Sequence, residues 1–186
     1  MAFIIVGGNV TSYAEADDLK DKDQRVFESN EINFADAPDA PGTLDEYLED
    51  LTSKATARIN EKIRASARWR EYLSYAGVGF DNINNIPAFN PNKILSRKAD
   101  FTDMCCYYTL KEYLLPKVAD FGDDESPEVQ KIKYYDSKFN DLFEELTSIM
   151  DYYDADGDGT VEEGEKMVRF NTPRRSRGRR NIVRVR

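Results

Sequence analysis

Residues 154–165 read DADGDGTVEEGE, with carboxylates at the first, third, fifth and twelfth positions, a glycine at the sixth and β-branched Val161 at the eighth. A hard divalent cation takes six to eight oxygens at about 2.3–2.6 Å, and this spacing wraps one short loop around such an ion. It is the spacing of an EF-hand calcium loop. The candidate ligands are the Asp154, Asp156 and Asp158 carboxylates, the Thr160 carbonyl and a bidentate Glu165, with Glu162 acting through water. Gly159 permits the sharp turn that returns the chain toward the ion. The cofactor implied is Ca2+, in a structural role. The bland alternative is an acidic turn that binds no metal. Calcium sensors open a helix pair and usually work with paired loops. No second loop is present: residues 120–125 lack a glycine at the sixth position, and residues 81–85 lack the carboxylates.

The segment after the loop has the opposite charge. Residues 166–186 hold Lys166 and eight arginines with no acidic residue, which leaves 17 positive and 35 negative charges in residues 1–165. An acidic body with a basic tail suggests an interaction arm. Its candidate partner-binding residues are Arg174, Arg175, Arg177, Arg179, Arg180, Ile182, Val183, Arg184, Val185 and Arg186. Three readings stand: docking on an acidic protein surface, contact with nucleic-acid phosphate, or a solvated end. Arginine throughout favours bidentate contact with carboxylate or phosphate. The interleaved Ile182, Val183 and Val185 favour protein docking, because an alternating end can add a strand to a partner's sheet edge.

Other chemistry is poorly supplied. The chain has no histidine, so the commonest general base is missing. No phosphate loop, nucleophile elbow or metallohydrolase motif occurs, and no carboxylate pair sits in an apolar context that would raise a pKa. The expectation is a protein that is not an enzyme. A net charge of −9 argues against nucleic acid as the main partner. Cys105 and Cys106 are adjacent, a spacing that rarely bridges, and read as reduced core residues of a chain made in the cytosol. The start, MAFIIVGG, lacks the basic region of a signal peptide, and no run approaches the roughly 18–20 apolar residues of a membrane span.

The elements that must position the loop and arm are helical. Residues 3–6 suggest a short strand or extended arm closed by Gly7 and Gly8. Ser12 and Glu15 have capping-box spacing for a short polar helix to about Leu19, with another turn near Val26 and Phe27. A proline-punctuated linker covers residues 33–42. A long amphipathic helix starts at Thr43, boxed to Glu46, and carries Leu44, Leu48, Leu51, Ala55, Ile59 and Ile63 to about Ala65. A shorter piece around Trp69, Tyr72 and Leu73 comes after a bend, with Trp69 as core anchor. Residues 76–98 read as an extended loop anchored by Phe80, Ile83, Ile86 and Phe89, long enough to be a contact surface. A second helix near Asp100 presents Phe101, Met104, Cys105, Tyr108 and Leu115. A third, capped by Ser126 with Pro127 at its first position, presents a stripe from Val129 through Met150 and Tyr153 and leads directly into the acidic loop. Tyr107, Tyr108, Tyr113, Tyr134, Tyr135, Tyr152 and Tyr153 read equally as interface or as helix packing. The fold class is all-α: a small helical bundle with an extended N-terminal segment, a long loop and a basic C-terminal arm. The organisation is an N-terminal segment over 1–42, a helical body over 43–153, the calcium-type loop over 154–165 and the arm over 166–186.

The acidic N-terminal stretch with DQRVFESNE, then LDEYLEDLTSKATARINEKIRASARWREYL, the extended loop, the Cys/Tyr helix, the long last helix and the basic arm together resemble the head–tail connector (adaptor) proteins of tailed bacteriophages. The segment TARINEKIRASARWREYL carries most of the likeness. The resemblance implies a virion structural protein, assembled in the host cytoplasm and located in the neck between head and tail. It implies a ring of identical subunits, typically twelve-fold, bound to the portal protein and supporting the next neck or tail-completion component. DNA passes through the channel of such a ring without sequence-specific contact, and no membrane is involved. In these proteins the C-terminal arm reaches into the portal. The alternative, drawn from the acidic loop alone, is a calcium-binding regulatory or interaction protein.

Overall fold

Gly7 and Gly8, at φ of 59° and 83°, fold the chain back on itself. Positive φ at both central residues matches the twist of a two-residue hairpin turn. They join β1 (Ile4–Val6) to β2 (Asn9–Ser12) as an antiparallel pair, Ile5 opposite Val10, with an irregularity between Ile4 and Ile5. The structure is a computed structural model describing residues 3–28, 43–77, 79, 82, 85–119, 121–122 and 126–161. The expected short strand is therefore one half of a hairpin. Ser12 is not a helix cap: it ends β2, fully buried, opposite Ile4, and its hydroxyl bonds to the Ala14 carbonyl at 2.8 Å. The cap falls on Glu15, which forms a capping box with Asp18 and opens α1 (Ala16–Lys22). The short α2 (Gln24–Glu28) comes next.

The long helix α3 (Leu44–Ala65) is capped by Thr43, whose hydroxyl accepts the Glu46 amide at 3.2 Å. Leu48, Leu51, Ala55, Ile59 and Ile63 recur at three- and four-residue spacing, and all are buried on one face. The helix stops where Ser66 turns extended (ψ 147°). Ser66 donates its amide to Ile63 and accepts the Trp69 amide on its hydroxyl at 3.1 Å, starting α4 (Ala67–Tyr75). One small polar residue thus ends one helix and caps the next, which is the expected bend. Trp69 is 1 % exposed and donates its indole N–H to the Pro87 carbonyl at 3.0 Å. Of the loop's expected anchors, Phe89 is buried and Ile86 half-buried; Phe80 and Ile83 lie outside the described residues.

Arg97, in the left-handed region (φ 55°), begins α5 (Lys98–Thr109). A π-turn over Leu110–Leu114 and α6 (Leu115–Val118) continue it. The wider turn accommodates one more residue than an α-turn does. Leu110, Lys111 and Leu114 are all buried within it. The Lys111 ammonium lies 4.5 Å from the Phe139 ring centre and 2.5 Å from Asp136 on α7 (Pro127–Ile149). Ser126 caps α7 through the Val129 amide, and Pro127 occupies its first turn. α5 packs against α7 on one side and α3 on the other, while β2 and α1 lie against α3. A single core cluster runs from Phe3 and Tyr13 through the helices to Tyr152 and Tyr153, giving a mainly α small bundle with one two-stranded sheet. Among the described residues no helix is long and apolar enough to cross a membrane.

The burial of the thiols and the pairing of Lys111 can each be tested. Cys105 and Cys106 are free and fully buried, and burial pushes the Cys105 thiol up to about 11 and Cys106 higher. The thiolate is the reactive form, so an aromatic disulfide reagent at neutral pH leaves the native chain untouched and titrates both thiols in denaturant. For the ion pair, the hydrogen-bonded Lys111 ammonium holds the Asp136 carboxyl below its ordinary 3.8. A lowered folded value gives stability that is present above 3.8 and lost as pH falls through the folded value. Thermal melts should show the native chain more stable than Asp136→Asn at neutral pH, with the gap closing in that acid window.

Candidate metal centre

The base of the acidic loop is built by backbone. Helix α7 ends at Ile149, and Met150 adopts the left-handed conformation (φ 53°) while its amide caps the Leu146 carbonyl. The helix therefore does not lead directly into the loop, and Tyr153 is not part of its stripe. Met150 is fully buried, and so is Tyr152, whose ring meets Phe101 edge-on at 4.9 Å. Burial of these side chains requires the turn. Past it, Tyr153 forms an antiparallel bridge with Ile94. The Leu95 amide donates to the Tyr152 carbonyl at 2.9 Å, and the Asp154 amide donates to the Lys93 carbonyl at 3.0 Å. From α4, Tyr72 donates its hydroxyl to the Tyr153 carbonyl at 3.0 Å. The first residue of the loop thus has its place set by two other parts of the chain.

From there the carboxylates organise the turn. Asp154 is 4 % exposed, and its oxygens accept the Gly157 amide at 2.5 Å and the Gly159 amide at 2.9 Å. Asp156 accepts the Asp158 amide at 3.1 Å; Asp158 accepts the Thr160 amide at 2.8 Å and the Thr160 hydroxyl at 2.9 Å. The two bonds from amides two residues on are those by which an Asp side chain imitates a backbone turn. Gly157 and Gly159 stand at φ of 87° and 90°, a conformation that side chains rarely adopt. The curl brings carboxylate oxygens of Asp154, Asp156 and Asp158 within 4.8 Å of one another. Burial favours the neutral form of Asp154, but the Gly159 and Gly157 amides, helped by Asp156 and the Lys93 charge, outweigh it and hold the carboxyl below its ordinary range. A hard cation needs ionised oxygen donors of this kind, and the residues present fit one.

The structure thus brings together three of the five expected metal ligands and includes a fourth, Thr160. Glu165 lies outside the described residues, as do Glu162 and the whole arm: Arg174, Arg175, Arg177, Arg179, Arg180, Ile182, Val183, Arg184, Val185 and Arg186. Among the tyrosines, Tyr108, Tyr135, Tyr152 and Tyr153 are buried packing residues, whereas Tyr134 is 55 % exposed.

Lys93 is the residue that spacing did not reveal. Its ammonium donates to the Ala155 carbonyl at 2.6 Å and lies 3.6 Å from where a Cβ on Gly157 would sit. Only the tertiary bridge at Ile94 puts a residue so distant in sequence beside the loop. Compared with known protein families, curated proteins and solved structures, the chain matches none of them.

A positive charge beside the carboxylates competes with a cation for them. Lys93→Met removes that charge and leaves the Lys93 carbonyl tie intact. Calorimetric calcium titration should find tighter binding in this variant than in the native chain, and no heat in Asp154→Ala.

Proposed function

We propose that the chain is a structural adaptor of the head–tail connector kind, forming a ring between a portal and the next neck component. In this reading the acidic loop is a calcium-held elbow that aims the basic arm. The observation that carries it is that Asp154, the loop's first residue, is tied to the Lys93 carbonyl and its predecessor Tyr153 to the Tyr72 hydroxyl, which fixes the start of the loop against the body. A loop so attached suits holding a direction better than transmitting a change. The segment that most resembles the adaptors takes the form of two helices hinged at Ser66, with Trp69 locking the hinge. The charge split adds support: acidic bodies around a channel repel DNA so that it slides, and a basic arm suits an acidic portal surface. A ring multiplies the weak contact of one arm into avidity.

A second reading, a calcium-binding regulatory protein, draws on the converging carboxylates. It requires a groove that opens between helices when calcium binds, visible as a change in helix packing by solution scattering or NMR.

The deciding experiment mixes the purified chain with a portal ring and examines the product by native mass and electron microscopy. Stacked rings are expected, and a chain that stays monomeric in the presence of portal would sink the adaptor reading. Asp154→Ala combined with Glu165→Ala should weaken attachment while helical content is kept.

A further inference from the structure

The outward charges of the helices are disposed in two ways. On α3, Lys54 pairs with Asp50 and Arg58 with Glu61, and on α4 Arg68 pairs with Glu71. On α7 they stay apart. Lys133, Lys138, Asp141 and Glu144 are exposed, and none forms an ion pair among the described residues. Asp141 is three residues beyond Lys138, yet the ammonium lies over the Tyr134 ring, 5.6 Å from its centre. These residues share the solvent face of a 23-residue helix with Gln130 and Ser137. Charge along that face is sorted, with the lysines first and the carboxylates after them. Carboxylates near a helix C-terminus meet the negative end of its dipole. Arg97 offsets this for Glu145 but pairs with neither Asp141 nor Glu144.

We propose that this face docks a second copy of the chain, the two α7 helices lying antiparallel about a two-fold axis level with residue 139. The sorted charge then becomes self-complementary. Lys133 of each copy faces Glu144 of the other, and Lys138 faces Asp141, each pair occurring twice as a two-fold contact requires. The carboxylates that the dipole disfavours gain lysines from the second copy, and the two dipoles oppose one another. Ser137 is small and lies near the crossing, where the helices come closest. Tyr134, 55 % exposed, adds contact area with a polar handle. The helix offers a line about 35 Å long. Exposed ion pairs contribute little singly and are screened by salt, so the dimer is weak and salt-sensitive. A two-fold pair closes at two copies, whereas a ring needs a head-to-tail surface, so this contact stands apart from the connector reading.

Sedimentation of the full chain at low salt should show a dimer that dissociates as salt is raised. Lys133→Glu sets like charges opposite each other and loses the dimer, and Glu144→Lys does the same. Mixing the two variants restores it, because every such pair is again a lysine against a glutamate. Both side chains are exposed, so circular dichroism and thermal melting of each variant stay native. Independently, Ser137→Cys near the axis joins two chains through a short bismaleimide, while Gln130→Cys, about two turns away, joins few. The native cysteines are buried and do not compete. Any of four results overturns the proposal: a monomer at low salt, a dimer that neither charge reversal weakens, a mixture that stays monomeric, or equal crosslinking at positions 130 and 137. Failure to form rings with a portal would leave these results unchanged.

Discussion

Burying Trp69 with its indole N–H satisfied is the requirement around which the rest of this molecule is arranged. A buried indole donor without an acceptor is costly, so the ring must be met by a carbonyl. Pro87 provides it, and that bond draws the long loop back across α4. The neighbouring rings complete the enclosure: Tyr72 at 5.6 Å, Phe89 at 5.3 Å and Tyr153 at 5.1 Å. Tyr72 then bonds its hydroxyl to the Tyr153 carbonyl, so the residue preceding Asp154 is held by a ring contact and a hydrogen bond at once. The place from which the acidic loop starts is inherited from this cluster.

A second junction does for the N-terminal segment what the tryptophan does for the loop. The Thr56 hydroxyl on α3 accepts the Tyr13 amide, and Thr102 on α5 donates its hydroxyl to the Tyr13 carbonyl. Both backbone groups of Tyr13 are thereby satisfied inside the core by short side chains from two helices, as buried polar groups demand. The ring of Tyr13 packs between Phe3 and Phe101, and its hydroxyl reaches Asn60. The hairpin and α1 are therefore integral to the bundle.

The helices were legible in the sequence because their signals are local. Thr43, Ser126 and Pro127 each act within one turn, and the apolar spacing of α3 is repeated often enough to leave no ambiguity. The failures fall where a local signal lost to a tertiary one. Ser12 has capping spacing to Glu15, but pairing with Ile4 takes it into the sheet. Tyr153 continues the spacing of α7, but the core position of Met150 and Tyr152 requires the chain to turn left-handed first. The metal-type spacing of Asp154, Asp156 and Asp158 was readable because successive Asp side chains shape their own backbone. Lys93 was not, because its place beside the loop comes from a bridge between segments that are far apart in sequence. The π-turn at Leu110–Leu114 left no local mark either; it reflects the need to bury Lys111 and the leucines on either side of it together.

The bridge between Ile94 and Tyr153 has a kinetic side. It closes a ring of chain that contains α5, the π-turn, α6 and α7, and closing such a ring costs entropy that only the packing inside it can offset. The two strands of the bridge have little reason to meet before α5 and α7 have docked. The base of the acidic loop is consequently expected to close after α5 and α7 have packed. The tie between Lys93 and Asp154 is therefore a mark of the completed fold, made by finished molecules and not by their separate helices.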